Sequence, residues 1–415
     1  MTDEVAELVL SDNYDQTQAL SIAASHGVSL LDAQTRLMRD LERSHVRLNR
    51  AIEYLPDDET LADRASSGIG LTRPELAVLL AYVKMALYDE LLESDLPDDP
   101  RLVGDLLLYF PERLRKKYAG PVADHRLRRE IIATAATNSM INRVGATFIS
   151  SLRDQTGAAA ADIARAYTVR DVFGLRSLWE AIEALDNKVP AALQTKMLRE
   201  VQRLVERETI WFLRNGQQPL DIASHVDEFA PGIATLSACL NDVLGEHDRK
   251  ALANQAKTFT EQGVPKDLAH QVAALDALAS GCDVVRLAVA SGGAVEPVAR
   301  VYFGVGARFA LDWLRDRAIA LAAETHWQKM AVSALVDDFY GHQSVLAQDV
   351  LAINGSSKTA AKSKKMDGAI DAWADTRRDA VERSERLLAD LKATDAVDLA
   401  MLAVANGQMR TLSAR

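Results

Sequence analysis

The chain has 415 residues, of which 48% are hydrophobic and 26% are charged. This balance excludes an intrinsically disordered protein, and the length predicts more than one hydrophobic core. The formal net charge of −11 disfavours nonspecific binding to nucleic acids and to anionic membranes.

The first clear helix start lies at Thr72-Arg73-Pro74-Glu75. A threonine hydroxyl followed by a glutamate three residues later is the capping-box arrangement, in which each side chain accepts a hydrogen bond from a free N–H at the helix start. We predict a helix from here to about Leu92. Asp99-Pro100 predicts a second start, and Pro111 predicts a break or kink after Phe110.

The segment His125–Arg153 has the most regular pattern in the chain. A stripe recurs at alternating steps of four and three and predicts one long helix packed against another; it comprises Leu127, Ile131, Thr134, Asn138, Ile141, Gly145, Phe148 and Leu152. Asn138 is interpreted either as a register-setting polar core residue or as a ligand contact. Gly145 is expected to permit close helix approach.

Further helices are predicted throughout the chain, at about 29–54, 158–170, 176–186, 191–215, 245–261, 266–291, 308–322, 325–352, 367–392 and 395–409. In the segment 325–352 the stripe includes His342, which is interpreted as a hydrogen-bonded core or boundary histidine rather than a ligand.

These patterns predict an all-α, multi-helix fold of two packed lobes without a parallel sheet. Residues 1–66 are predicted to form a helical connector, 67–215 a first lobe and 216–415 a second lobe. Gly216-Gln217-Gln218-Pro219 is the predicted hinge between the lobes. A flexible loop is predicted near 355–365, where small residues and lysines occur without a large apolar anchor.

The N-terminus has no basic region followed by an apolar run, and the chain has no apolar run of about 18 residues. Cys239 and Cys282 offer no disulfide framework and no zinc cluster, and both are predicted to be small core residues. These features predict a cytoplasmic protein.

One glycine pair invites a test as a dinucleotide site. Val298–Tyr302 has the composition of a short strand, and Gly304 and Gly306 follow it. The fingerprint needs a third glycine for close packing of helix and strand, but Phe309 occupies that place. A junction where glycines let two helices approach closely is the favoured interpretation, and Ser291-Gly292-Gly293 is interpreted as a turn.

Two Glu/Asp-x-x-His pairs are candidates for metal ligands. Glu42 and His45 would share one helix face, and Asp267 with His270 is a looser second copy. A carboxylate-bridged dimetal bundle needs two full motifs and further glutamates, so a solvated helix face is favoured. No nucleophile elbow is present, and neither cysteine has a basic sequence context.

Basic residues concentrate between positions 113 and 129. The cluster comprises Arg113, Arg115, Lys116, Lys117, Arg126, Arg128 and Arg129. Such a cluster could recognise phosphate, dock an acidic protein surface or form a solvated face with salt bridges, and the solvated face is the favoured interpretation.

Several of these segments together resemble the C-terminal region of the large bacterial NAD-specific glutamate dehydrogenases. The segments occur in the order expected for that family, and they are Gly68–Tyr82 (GIGLTRPELAVLLAY), Tyr109–Arg115 (YFPERLR), His125–Gly145, Glu206–Asn215 (ERETIWFLRN), Tyr302–Arg315 and His326–Phe339.

The resemblance implies a parent enzyme that oxidatively deaminates L-glutamate to 2-oxoglutarate and ammonia while reducing NAD. It implies that the catalytic domain lies upstream, with residues 1–66 as the connector after it. We therefore predict no catalytic, cofactor-binding or metal-binding residue in this chain, and no NAD bound to it.

Two functions remain open from the sequence. The first is a structural, assembly or interdomain role, with the catalytic and N-terminal regions of the same polypeptide as partners and a homo-oligomeric parent. The second is a regulatory module that binds a small ligand in a pocket near Gly216. The sequence predicts neither a nucleic acid nor a membrane as partner.

Overall fold

A computed structural model describes residues 2–323, 325–353 and 363–414, with the side chains of 363–367 outside the description. The described residues contain helices and connecting turns but no strand, which confirms the all-α prediction. None of the described helices is long and apolar enough to cross a membrane.

The chain divides into two compact units, Met1–Asp227 and Glu228–Arg415. Unit 1 contains the helices α1 Thr2–His26, α2 Leu31–Arg43, α3 Asp58–Ser66, α4 Arg73–Glu93, α5 Val103–Leu108, α6 Glu112–Lys117, α7 Ala119–Ala123, α8 Arg128–Val144, α9 Phe148–Thr156, α10 Ala160–Ala166, α11 Val169–Val172, α12 Leu175–Glu183 and α13 Ala191–Asn215. Short 3₁₀ turns occur at Gly27–Leu30, Leu96–Asp98 and Pro100–Leu102.

The division between the units falls within helix α14, Ile222–Val243. The rest of unit 2 comprises α15 Glu246–Glu261, α16 Lys266–Ala273, α17 Leu275–Leu278, α18 Gly281–Ser291, α19 Val295–Arg308, α20 Leu311–Ile319, α21 His326–Ile353, α22 Ser363–Thr376, α23 Arg378–Lys392 and α24 Leu399–Ser413.

Helix α8 lies at the centre of unit 1, where it packs against α1, α4, α5 and α13. Its buried face carries small and branched apolar residues, which lets the surrounding helices approach; the face comprises Ile132, Ala133, Ala136, Thr137, Met140 and Ile141. The predicted stripe was therefore wrong in its register, because it lies mostly one position to the side of this face. Leu127, its first member, is exposed.

Gly145 ends helix α8 rather than continuing it. Its φ of 91° and ψ of 166° fall in a region that only glycine adopts without strain, and the chain turns there before α9 begins at Phe148. The single helix predicted over 125–153 is thus wrong, because a backbone conformation outside the helical region interrupts it.

In unit 2 the long helix α21 packs against α18, α19, α20, α22 and α24. The predicted helix over 266–291 is divided into α16, α17 and α18, and the one over 367–392 into α22 and α23. The predicted helix over 29–54 ends at Arg43. The predicted loop at 355–365 lies outside the described residues, except that residues 363–365 belong to α22.

Candidate functional site

The structure separates Glu42 and His45, the candidate metal pair for which a solvated face was favoured. Helix α2 ends at Arg43, so His45 lies beyond the helix and does not share a face with Glu42. Arg50 Nη2 donates to Glu42 Oε2 at 3.0 Å, and His45 Nε2 lies 2.9 Å from Asp89 Oδ2. The described part of the chain contains no group of three or more potential metal-ligating side chains.

The glycine pair lies on helix α19, so the strand considered for Val298–Tyr302 is wrong. A Cβ added at Gly306 would lie 2.5 Å from Gln343 Nε2 of α21, and one at Gly304 would lie 2.8 Å from Ile370 Cδ1 of α22. A Cβ at either position would force the facing side chain to shift, so glycine lets α21 and α22 approach α19 closely. The pair therefore serves helix packing.

The basic cluster is largely engaged in local ion pairs. Arg113 Nε lies 3.0 Å from Glu4 Oε1, Lys116 pairs with Glu112, and Arg128 and Arg129 both pair with Asp98. These contacts support the interpretation of a solvated face with salt bridges.

Arg129 has a second structural role in the same cluster. Its Nη2 donates to the carbonyl oxygens of Leu92 and Ser94 at 2.9 Å each. Those carbonyls lie at the C-terminus of α4, where a cation satisfies free acceptors and opposes the negative end of the helix dipole.

The histidine and cysteines of unit 2 have structural surroundings. His342 Nε2 lies 2.8 Å from Asn406 Oδ1 and its Nδ1 lies 3.0 Å from Ser413 Oγ, as expected for a hydrogen-bonded boundary histidine. Cys282 is buried, whereas Cys239 is only partly buried.

A cleft of about 450 Å³ lies on one side of α8, between α1, α5 and α12; we call it the α8 cleft. Its lining includes Val5, Val9, Asp15, Asp105, Tyr109, Asn138, Arg143, Arg170, Arg176 and Trp179. Asn138 is partly buried and lines this cleft, so it does not lie on the buried face of α8.

The arginines in the floor of the α8 cleft are paired with neighbouring carboxylates. Arg143 lies between Asp15, at 3.2 Å, and Glu183. Arg170 and Arg176 converge on Asp105, with Arg176 Nη2 2.6 Å from its Oδ1. Since each cation already has a carboxylate partner, this floor is built as a structural network rather than as a free anion site.

Burial raises the pKa of one carboxyl group in this network. Desolvation raises the pKa of Asp15 to about 6, although the charge of Arg143 opposes the shift. The guanidinium of Arg143 also lies 5.2 Å from the centre of the Trp179 ring, a cation–π contact. The floor is thus held together by charge pairs and an aromatic ring.

The rim of the α8 cleft is apolar and exposed. Val5 and Val9 project from α1, and Leu108 and Tyr109 from the end of α5; Val9 is 55% exposed and Tyr109 49%. Clustered exposed apolar side chains around a concave surface are typical of a site that contacts another protein segment.

A smaller cavity of about 150 Å³, which we call the α13 cavity, lies between α1, α2, α4, α8 and α13. Its walls are partly apolar, with Ala19, Leu79 and Leu80 among them. Its polar side chains include His26, Gln34, Asn142, Arg199, Gln202, Arg203 and Glu206. Asn142 and Arg143 line both the cavity and the α8 cleft.

Burial shifts the pKa values of Glu206 and His26 in the α13 cavity. Desolvation raises the pKa of Glu206 to about 7 and lowers that of His26 to about 4, the latter also because Arg199 and Arg203 repel a proton. His26 is therefore neutral at neutral pH, whereas Glu206 is partly protonated.

The sequence interpretation missed this cavity, although one signal was present. Arg199, Gln202 and Glu206 recur at steps of three and four along α13, which places them on one helix face. A polar stripe of this kind is ordinarily a solvated surface, and only the packing of α2 and α8 over it encloses it.

Comparisons with known proteins give a consistent result. The family model described as "Glutamate dehydrogenase, C-terminal" matches residues 68–411. Among curated relatives, the NAD-specific glutamate dehydrogenase of Pseudomonas aeruginosa is 38% identical over 414 residues, which cover 100% of this chain and 25% of the relative.

The same-named proteins of Halomonas elongata and Mycobacterium tuberculosis are 35% and 33% identical over 98% and 100% of this chain. Each match again covers 25% of the relative. The chain thus spans about a quarter of the length of these relatives.

Proposed function

Because this chain belongs to the glutamate dehydrogenase C-terminal family, we propose that it is the helical C-terminal part of an NAD-specific glutamate dehydrogenase, in which it serves assembly and contacts between domains. The parent would convert L-glutamate to 2-oxoglutarate and ammonia with reduction of NAD, using residues outside this chain. The observation that carries the proposal is the match over the whole chain to one quarter of much longer dehydrogenases.

The structure supports a non-catalytic role for the chain in two ways. The glycines once considered for NAD are packed against α21 and α22, and a dinucleotide needs free space above a glycine turn. The arginines of the α8 cleft are paired with carboxylates, so they are engaged in structure.

We assign the contact with the rest of the parent polypeptide to the α8 cleft. Its rim offers apolar surface, and burying that surface against a partner is favourable. The charges in its floor are already paired, so they need no counterion from the partner. The partner segment would be apolar and helical or extended, with few charges of its own.

A complementation assay tests this role. The remainder of the parent polypeptide, produced without its counterpart of residues 1–415, is mixed with this chain, and NADH formation from glutamate and NAD is followed. We expect the chain to restore activity or to increase it strongly. The Val9→Asp or Tyr109→Asp variant should need a concentration at least about tenfold higher for the same effect.

Ile319→Asp is the matched control, because Ile319 is also an exposed apolar residue, 62% exposed, and it does not line the α8 cleft. Equal complementation by all variants would contradict the assignment of the cleft. Glutamate oxidation by this chain alone would contradict the proposal as a whole.

A further inference from the structure

The α13 cavity contains buried hydrogen-bonding groups that the protein itself does not satisfy. Gln34 and Asn142 are only 3% and 4% exposed, and Gln34 Oε1 and Asn142 Oδ1 have no partner among the described protein atoms. Buried polar atoms without a partner lower stability, so folded proteins rarely keep several of them around one small space.

Gln202 adds a third oxygen to the same space. Its Nε2 donates to Val144 O at 2.7 Å and contacts Glu206 Oε1 at 3.3 Å, so the amide orientation is fixed. Its Oε1 is buried and has no partner among the described protein atoms. Three amide oxygens and the Glu206 carboxyl group therefore offer acceptors to one cavity.

A hydrogen-bond donor lies about one turn earlier on α13. Arg199 lines the cavity, its Nε is buried without a hydrogen-bond partner in the described part of the chain, and no carboxylate pairs with it there. Arg203, one turn later, and Arg143 of α8 also line the cavity, so cationic donors share this space with the acceptors of Gln202 and Glu206.

From this arrangement we propose that the α13 cavity binds a small zwitterion, with a carboxylate held by Arg199 and a protonated amine held by the oxygens of Gln34 and Asn142. A free amino acid with a short side chain is the simplest molecule of this class. The size agrees, since a cavity of about 150 Å³ accommodates a ligand of roughly benzene size, about six or seven non-hydrogen atoms.

The charges of the site select against simpler ligands. A carboxylate alone would leave the amide oxygens of Gln34 and Gln202 unpaired, and an amine alone would leave Arg199 without a counterion. Only a molecule with both groups satisfies both ends at once, which gives it an advantage over either half.

Saturation-transfer difference NMR on the intact chain tests this binding with glycine, L-alanine and L-serine as probes. Acetate and methylammonium serve as the separate halves. We expect saturable binding of at least one zwitterion, at least about tenfold tighter than either half. Absence of saturable binding by all three at about 10 mM, or equal binding of acetate alone, overturns the proposal.

Variants locate the site. Arg199→Met and Gln34→Met keep an unbranched side chain while removing the charge or the amide, and each should weaken zwitterion binding by at least about tenfold. Arg126→Met is the control, because Arg126 is exposed and does not line the cavity. Unchanged affinity in both cavity variants overturns the assignment of the site.

The folded state of the variants is checked independently by circular dichroism and thermal melting. Gln34→Met should melt at or above the temperature of the parent chain, because a buried apolar side chain replaces an unpaired amide. A clear decrease in its melting temperature would show that the amide serves the fold, and would also count against the proposal.

Discussion

Glu206 shows how burial couples a single residue to the pH dependence of stability. Its carboxyl group lies in the α13 cavity, where desolvation raises its pKa from 4.5 to about 7. The folded chain therefore holds this proton more tightly than the unfolded chain does. The contribution of Glu206 to the free energy of unfolding is fully present below about pH 4.5 and is lost as the pH rises to about 7.

Glu206→Gln should remove this loss. Relative to the parent chain, the variant is expected to be more stable at pH 8 by on the order of 2 kcal/mol, since one pKa unit corresponds to about 1.4 kcal/mol and partial exposure reduces the effect. At about pH 4.5 the two should agree within a few tenths of a kcal/mol. Urea denaturation at both pH values measures the difference, and a variant less stable than its parent at pH 8 would contradict the burial argument.

For single residues, the sequence predicted the kind of contact that a side chain makes better than the place of that side chain in the fold. The structural interpretation of His342 agrees with its two hydrogen bonds, because a histidine on an otherwise apolar stripe needs partners there. Asn138, in contrast, lies in the α8 cleft, because the buried face of α8 includes Thr137 and Ile141 and not Asn138. A one-position error in register is enough to move a residue between core and cleft.

The start of α4 carries the capping box that the sequence predicted. Thr72 N donates to Glu75 Oε2 at 2.7 Å, and Arg64 of α3 approaches the same carboxylate through two nitrogens at 2.8 and 2.9 Å. One glutamate thus caps α4 and ties α3 to it.

Glu75→Ala should lower the free energy of unfolding by about 2 kcal/mol, because it removes the cap and leaves Arg64 without its bidentate partner. The matched control is Glu93→Ala at the other end of α4, where an acidic residue opposes the helix dipole and its loss should cost almost nothing. Chemical denaturation of both variants measures the difference. Equal effects at Glu75 and Glu93 would contradict the role of the cap.

Gly145 offers a second test at the scale of helices. Gly145→Ala should destabilise the chain by about 1–3 kcal/mol, because a non-glycine residue at φ 91° is strained. The cost is expected from the backbone alone, since the nearest atom to an added Cβ is Gln202 Nε2 at 3.7 Å. Melting curves and denaturant titration check it.

Gly407→Ala is the control for Gly145. Gly407 lies within α24, and an added Cβ there meets nothing within 4 Å. Alanine should stabilise this helix by about 0.5–1 kcal/mol, the opposite sign to the effect at Gly145. The same sign at both positions would contradict the backbone argument.

Helix prediction succeeded where one periodic pattern ran between clear stop signals. The predicted helix 191–215 coincides with α13, which begins after Pro190 and ends before Gly216. Helix α1 lies within the predicted helical connector, but its bounds were not predicted because its buried side is narrow, with only Ala19 and Ile22 buried. Helix α14 was missed because Pro231 lies inside it, and an internal proline ordinarily indicates a break.

At the scale of the whole molecule, two compact helical units form a chain that matches about a quarter of the length of its relatives. The fold class follows from the sequence because helical periodicity is local. The α8 cleft and the α13 cavity do not, because each is formed by helices that are distant along the chain. Assembly of the parent into a homo-oligomer stays a prediction.

We propose that this chain supports a dehydrogenase without binding its cofactor. Isothermal titration of the intact chain with NAD, with and without L-glutamate, tests it most directly. We expect no saturable heat at cofactor concentrations up to about 1 mM, because Gly304 and Gly306 pack against neighbouring helices. Stoichiometric binding of NAD to this chain would contradict it.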